Sequence, residues 1–243
     1  MFNMTEKFQS NLGYEHYNCD KRARLPRQVL NFLFNYRINR MVNMIDFPSN
    51  NKFIALDLGC SGGYLTTYLT SLLNGMVIGI DVYGMREAKM RARQVKPASR
   101  ATAEFVCSDI TQLPFRADSI NLVVCASVLE HVNDLEKLMK EINGLMSENA
   151  ILIAGYPIET GLFNALIRIF LPTGWWLIRD PRILGKKEFD RNPETHKQSF
   201  RTIRCLLQKH FLRVKREKSF FTILPDQMSW YECVKMSKKS LEF

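Results

Sequence analysis

The chain has 243 residues, of which 46% are hydrophobic and 24% charged, and a formal net charge of +10. This length and apolar content suit one domain with a sizeable core. No N-terminal stretch joins basic residues to a continuous apolar run, so no signal or transit peptide is expected. The six cysteines form no C-x-x-C pair, which argues against a zinc site or disulfide framework and favours a reducing cytoplasm.

The positive charge is concentrated in the last third of the chain. Residues 160–243 hold 17 Lys and Arg against 8 Asp and Glu, whereas residues 1–159 hold 17 against 16. Such a basic region raises the local concentration of anionic partners. Nucleic acid, an anionic membrane surface and an acidic substrate all remain open, as does a merely soluble basic face.

Secondary structure follows a regular order after the N-terminus. Residues 1–50 carry apolar positions at helical spacing and predict a helical cap. From 53 to 157, strands and helices alternate, with strands near 53–58, 76–81, 103–107, 119–125 and 149–156. The clearest helix runs from Leu135 to Met146. This alternation predicts a parallel sheet with right-handed crossovers and a ligand at the carboxyl ends of its strands.

The alternation stops after Pro157 and resumes later. Residues 160–178 form an apolar insertion that includes Trp175 and Trp176 but is too interrupted to span a bilayer. A helix near 199–210 and strands near 211–219 and 229–236 follow. We expect a single domain over 1–243, composed of a cap (1–50), a cofactor-binding core (53–157), an acceptor-side insertion (158–198) and a closing helix and hairpin (199–243).

A glycine-rich turn follows the first strand of the core. The segment reads Asp57-Leu58-Gly59-Cys60-Ser61-Gly62-Gly63, and Asp81 closes the second strand 18 positions after Gly63. That distance suits an acid that binds a ribose diol. Ser61 and Tyr64 stand where a dinucleotide fingerprint needs glycine, and no Lys-Ser or Lys-Thr completes a P-loop. The bare glycine backbone is expected to let a ligand approach closely.

The remaining pattern resembles the first motif of class I S-adenosylmethionine-dependent methyltransferases. Three more segments resemble that family in order: 105–110, 113–124 and 129–132. Together the four motifs cover residues 53–157. The resemblance implies an α/β fold, a doubly wound, mostly parallel seven-stranded sheet whose last strand is antiparallel.

The resemblance also implies the cofactor contacts. Asp57 would order the loop and contact the methionine ammonium, Asp81 would accept from both ribose hydroxyls, and Asp109 would accept from the adenine amino group. Asp109 could instead cap a turn before Ile110. The full implied set is Asp57, Gly59, Cys60, Gly62, Gly63, Asp81, Val82, Ser108, Asp109, Ile110, Ala126 and Ser127.

Two histidines are candidates for the chemistry. His131 follows the fourth strand, near the expected methyl group, and imidazole titrates close to neutral pH. His196 precedes the late helix, which often borders the acceptor pocket in this family. Either could instead be an ordinary backbone-bonded or surface histidine. Leu129-Glu130-His131-Val132 resembles quinone-pathway O-methyltransferases, in which an additional glutamate helps to bind a divalent metal; Ser127 stands there in this chain, so no metal is expected.

Three functions compete. The first is methyl transfer to a small, hydrophobic or lipid-like acceptor, most simply at oxygen. In this case the insertion would be a buried lid over the site, or residues 160–187 would contact an anionic inner membrane surface. The second is methylation of RNA or another nucleic acid, for which no amino-methylating motif follows the fourth strand. The third is a non-catalytic binding subunit, against which the three acids argue, since buried carboxylates are costly without partners.

Overall fold

The computed structural model describes residues 27–46, 53–94, 101–158, 196–218 and 229–239. Within them lie five α-helices, a short 3-10 helix at Leu129–His131 and seven strands. The helices are α1 (Arg27–Val42), α2 (Tyr64–Leu72), α3 (Met85–Gln94), α4 (Leu135–Leu145) and α5 (Phe200–His210). The strands are β1 (Phe53–Leu58), β2 (Gly75–Asp81), β3 (Thr102–Cys107), β4 (Ile120–Ala126), β5 (Met146–Pro157), β6 (Phe211–Lys218) and β7 (Tyr231–Lys238).

The seven strands form one sheet in the order β3-β2-β1-β4-β5-β7-β6. The first five pair in parallel, and β7 runs antiparallel to both β5 and β6. The strand order reverses between β1 and β4, which is the switch point where doubly wound sheets bind ligands. The predicted fold, including the antiparallel last strand, is confirmed.

Both faces of the sheet are covered by apolar side chains. On one face, α4 and α5 pack over the sheet through residues such as Leu138, Ile142 and Ile203. On the other face, α1 and α2 contribute Met41, Leu69 and their neighbours. Two-sided burial explains why the central strands read as continuous apolar runs instead of alternating.

The helix α4 shows how local sequence sets an element's bounds. Its buried residues repeat at intervals of three and four, and the Asp134 side chain accepts a hydrogen bond from the Lys137 backbone N–H at 3.0 Å. The predicted C-terminal end at Met146 is wrong by one residue. Met146 is instead the first residue of β5, where it pairs with Ile120 of β4.

A buried ionic network joins the closing hairpin to the core. Glu232 of β7 is fully buried, and its carboxylate accepts hydrogen bonds from the Tyr156 hydroxyl at 2.6 Å, Arg204 at 2.6 Å and Arg216 at 2.7 Å. Burial opposes ionisation, but these three donors outweigh it and hold the pKa of Glu232 below its ordinary value. Each donor comes from a different element, namely β5, α5 and β6, so the network ties them together.

Several sequence-based expectations fall outside the described residues. They include the apolar insertion through residue 195 and the cap before residue 27, so their predicted roles stay predictions. No helix of the described ranges is long and apolar enough to cross a membrane. Cys60 and Cys125 are buried, whereas Cys107 is exposed at the end of the edge strand β3.

Candidate functional site

The glycine-rich turn connects β1 to α2 at the carboxyl edge of the sheet. The backbone N–H groups of Gly59 and Cys60 both donate to the Ile80 carbonyl of β2, at 2.8 and 3.0 Å. The Gly63 N–H then donates to the Cys60 carbonyl at 2.8 Å, and α2 begins at Tyr64. The turn is thus attached to the end of the neighbouring strand before the helix starts.

The glycines are required by protein packing as well as by backbone conformation. Gly59 and Gly63 have φ values of 71° and 73°, which glycine adopts most easily. A Cβ atom on Gly59 would lie 2.3 Å from Val128, and one on Gly63 would lie 2.8 Å from Ala88. Side chains of the protein therefore occupy the space that a side chain at either position would need, and the close approach of a ligand to this turn stays a prediction.

Asp57 lies beneath the turn and is 2% exposed. Its carboxylate accepts a hydrogen bond from the Thr66 hydroxyl at 2.7 Å and another from the Thr66 backbone N–H. Burial raises the pKa of Asp57 to about 7, although the bonds from Thr66 and the helix N-terminus favour the charged form. Asp57 therefore orders the turn by holding the first turn of α2.

Asp81 stands at the end of β2 and uses both carboxylate oxygens. One accepts from the Ser61 backbone N–H at 2.9 Å and the other from the Tyr83 backbone N–H at 3.0 Å. Each carboxylate oxygen has two lone pairs, so both can still accept from a diol. Val82 and Tyr83 are 49% and 79% exposed and offer apolar surface beside this acid.

The segment after β3 is held to the end of β2. The Ser108 backbone N–H donates to the Asp81 carbonyl at 3.2 Å, and Ile110 packs on the core. Asp109 is exposed, and one of its oxygens accepts from both the backbone N–H and the hydroxyl of Thr111, at 2.8 and 2.9 Å. These bonds lower the pKa of Asp109. The turn-capping alternative is thus observed. Recognition of the adenine amino group stays a prediction, and it would use the other carboxylate oxygen of Asp109.

At the end of β4, the predicted site residue Ser127 has two hydrogen-bond partners that the sequence did not indicate. Ser127 has a φ of 57°, and its hydroxyl hydrogen-bonds Arg37 of α1 and Tyr231 of β7, both at 3.1 Å. The Arg37 guanidinium also lies 4.8 Å from the ring of Phe34. Helix α1 therefore reaches the carboxyl edge of the sheet, where a ligand is expected. The Val128 side chain, which packs on Gly59, lies next to Ser127 in the chain.

The two candidate histidines lie together, although 65 positions separate them in sequence. The rings of His131 and His196 are 5.0 Å apart and meet edge to face. Nitrogen atoms of both rings and a carboxylate oxygen of buried Glu130 all lie within 4.8 Å of one another. The structure thus brings both predicted catalytic residues to the end of β4, together with Glu130, which sequence reasoning treated only as part of a motif.

Three residues at the site, Thr66, Arg37 and Tyr231, were not predicted from the sequence, and only the first of them had a local sequence signal. Thr66 follows the glycine turn at the distance of one helical turn, so its bond to Asp57 could have been anticipated. Arg37 and Tyr231 come from distant segments with no motif, and only the packing of α1 and β7 against β5 places them here.

Residues 56–154 match a family model described as “Methyltransferase domain”. The match lies within the segment that the four sequence motifs cover. Together with the observed sheet order, this match agrees with the resemblance: residues 56–154 are similar to a methyltransferase domain.

Known proteins with related sequences or folds include methyltransferases and a hydroxylase. Malonyl-acyl-carrier-protein O-methyltransferase of a Methylovorus species is 29% identical over 138 residues, 55% of this chain and 44% of that protein. Human mitochondrial arginine-hydroxylase NDUFAF5 is 29% identical over 108 residues, 44% of this chain and 29% of that protein. Magnesium protoporphyrin IX methyltransferase of Synechocystis, solved with bound S-adenosylhomocysteine, superposes with a TM-score of 0.61 at 15% identity, covering 97% of this chain and 99% of that one.

The matched regions limit what these relatives imply. The chain spans between 29% and 44% of the length of the curated relatives that it matches. Their names also include a hydroxylase beside a methyltransferase. The match and the fold therefore support a shared domain, and the relatives do not fix its reaction.

Proposed function

We propose that this protein binds S-adenosylmethionine, the cofactor of its domain class, and transfers the methyl group to a small, hydrophobic or lipid-like acceptor at oxygen. The observation that carries the proposal is the pair of acids on the glycine turn. Asp57 lies buried under the turn and Asp81 accepts a hydrogen bond from its Ser61 N–H, so the neighbouring strands β1 and β2 each supply one carboxylate to the same turn.

The residues present fit the chemical groups of this cofactor. Asp81 retains lone pairs for a ribose diol, and the exposed surface of Val82 and Tyr83 suits a purine face. The charge of Asp57 suits a cationic ammonium, either directly or through water. The sulfonium supplies an activated methyl group, so the protein needs chiefly to align the acceptor and exclude water, which is worth about 7–11 kcal/mol.

The acceptor side lies at the carboxyl ends of β4 and β5. There the His131–His196 pair stands at the end of β4, where an acceptor hydroxyl would lose its proton as its oxygen attacks the methyl carbon. Proton removal by a positioned group contributes about 10²–10⁴-fold to such a rate. A His131→Gln substitution should therefore lower kcat while leaving the Kd for the cofactor nearly unchanged.

The proposed acceptor class is supported by the composition of the insertion. Residues 160–178 are rich in Leu, Ile, Phe and Trp, and Arg and Lys follow through residue 187. Tryptophan favours the headgroup level of a bilayer, and basic residues near an anionic surface contribute about 1 kcal/mol each. Residues 160–187 would then guide a hydrophobic acceptor from a membrane surface to the site.

One labelling experiment tests the function and its alternatives. The tag-free protein is incubated with methyl-labelled S-adenosylmethionine and a total cell extract, and the label is followed into the organic, nucleic-acid and protein fractions. Label in the organic phase, lost in an Asp81→Ala variant, is the expected result. Label in RNA would favour the nucleic-acid alternative. If the protein binds the cofactor but transfers no label to any fraction, the non-catalytic subunit would be favoured.

A further inference from the structure

Glu130, His131 and His196 form a compact donor cluster at the end of β4. One oxygen from Glu130 and one nitrogen from each ring lie within 4.8 Å of one another. Metal–ligand distances of about 2.0–2.2 Å place two ligands of a tetrahedral ion about 3.3–3.6 Å apart. The donor atoms of the cluster therefore need to approach one another by up to about 1.5 Å to close around an ion.

The backbone holds the three donors together. Glu130 and His131 belong to the same 3-10 helix. The N–H groups of Lys197 and Gln198, which follow His196, both donate to the Glu130 carbonyl, at 2.6 and 3.0 Å. The Gln198 side-chain amide donates to the carbonyls of Val132 and Asn133, each at 3.0 Å. Four hydrogen bonds thus fix the segment that carries His196 against the segment that carries the other two donors.

The chemistry of the donors selects a class of ion. Imidazole nitrogen suits Zn²⁺, Fe²⁺, Co²⁺ and Ni²⁺, whereas Mg²⁺ and Ca²⁺ prefer sets made of oxygen. Two imidazoles and one carboxylate, with the remaining positions open, form a ligand set found at catalytic metal centres. Burial of Glu130, which is 2% exposed, would strengthen its attraction for a cation.

We propose that Glu130, His131 and His196 bind one divalent transition-metal ion through two imidazole nitrogens and a carboxylate oxygen. This replaces the expectation that the chain binds no metal, which considered Ser127 and could not show that His196 lies beside His131. The catalytic role of the ion rests on the proposed methyl transfer and replaces the histidine base in it, because an imidazole that binds the ion has no lone pair left for a proton. An acceptor hydroxyl bound to the ion would release its proton to solvent at a lower pH, and the resulting oxygen anion would attack the methyl carbon. The binding of the ion does not depend on that function.

Cobalt is a suitable probe because its visible absorption reports its ligands. The tag-free full chain is treated with a chelator, desalted and titrated with Co²⁺ under reducing conditions. We expect saturation at one ion per chain, with visible bands typical of nitrogen and oxygen ligands. His131→Ala and His196→Ala should each weaken the affinity by about tenfold or more, since even outer-shell partners of a metal site contribute about 10–100-fold.

A second histidine substitution provides the matched control. His210 of α5 hydrogen-bonds Glu136 and does not belong to the cluster, so His210→Ala should leave the Co²⁺ affinity unchanged. Circular dichroism of all three variants separates lost ligands from lost folding. Equal Co²⁺ affinity in wild type, His131→Ala and His196→Ala would overturn the proposal, as would an absence of binding or a thiolate charge-transfer band from the exposed Cys107 or Cys205.

Titration of the same samples with S-adenosylhomocysteine distinguishes the two proposals. Binding of S-adenosylhomocysteine without Co²⁺ binding would remove the metal site and leave the methyltransferase proposal intact. Binding of Co²⁺ by a protein that does not bind S-adenosylhomocysteine would support the metal site and contradict the methyltransferase proposal.

Discussion

Asp57 is an acid whose ionisation opposes folding, because its charge must be buried under the glycine turn. Its pKa in the native state is about 7, above the ordinary value of 3.8. The folded protein therefore binds more protons than the unfolded chain between these two values. Linkage then requires the free energy of unfolding to fall as the pH rises from about 4 to 7 and to level off above 7.

An Asp57→Asn variant should lose this dependence. Between pH 5 and 7 the wild type should lose about 2–3 kcal/mol relative to the variant, since each unit of pKa shift corresponds to 1.36 kcal/mol. Thermal melts of both proteins at pH 5, 6, 7 and 8 give the comparison. Parallel Tm curves for the two proteins would show that Asp57 does not titrate in this range.

Gly63 is a second residue that the structure constrains, because no side chain fits at its position. Its φ of 73° and its contact with Ala88 leave no room for a side chain. Gly63→Ala should destabilise the protein by about 1–3 kcal/mol and weaken cofactor binding, because strain at the turn displaces the residues that hold Asp81.

Gly144 provides the control for this substitution. It lies in the last turn of α4, and a Cβ there would meet nothing within 4 Å. Gly144→Ala should stabilise the protein by about 0.5–1 kcal/mol, because alanine loses less backbone entropy in a helix. Urea unfolding of both variants measures the two changes. Equal destabilisation by the two substitutions would contradict the assigned role of the turn.

At the scale of the element, the sequence predicted strands well where burial on both faces produced continuous apolar runs. The first strand has the predicted bounds, Phe53–Leu58, and the other core strands differ by a few residues. The last strand runs from Tyr231 to Lys238 instead of 229–236, because its backbone pairing continues through the polar residues Ser237 and Lys238, which lie beyond the apolar pattern. Within the strand, Glu232 and Lys235 are buried polar residues. The groups that compensate for their burial come from other parts of the chain and leave no local signal.

The Glu232 network should contribute strongly to the attachment of the closing hairpin. Glu232→Gln leaves Arg204 and Arg216 without their buried anion, and removal of one partner from a buried ion pair costs about 3–5 kcal/mol. We expect a correspondingly lower free energy of unfolding in urea.

Glu136 is the matched acid for that experiment. It also has basic partners, namely Lys140, Lys209 and His210, but at the protein surface, where ion pairs contribute little. Glu136→Gln should therefore leave the unfolding midpoint almost unchanged. A loss as small for Glu232→Gln as for Glu136→Gln would show that the buried network does not stabilise the hairpin.

For the whole molecule, the site is assembled from segments that only the topology brings together. The acids come from β1 and β2, Arg37 from α1, Tyr231 from β7 and His196 from the segment before α5. The sequence predicted the cofactor acids because a strand–turn–helix motif encodes them locally. It could not predict the meeting of His131 with His196 and Glu130, because that contact depends on how the segment after the insertion docks on the 3-10 helix.

Calorimetric titration of the purified protein with S-adenosylmethionine and S-adenosylhomocysteine tests the central claim most directly. We predict saturable 1:1 binding that is weakened about tenfold or more in Asp81→Ala, since a lost charge-assisted hydrogen bond costs about 1.5–3 kcal/mol. Glu148→Ala, which removes an exposed acid near the start of β5, should bind like the wild type. Absence of binding in the folded wild-type protein, or equal affinities for Asp81→Ala and Glu148→Ala, would contradict the account.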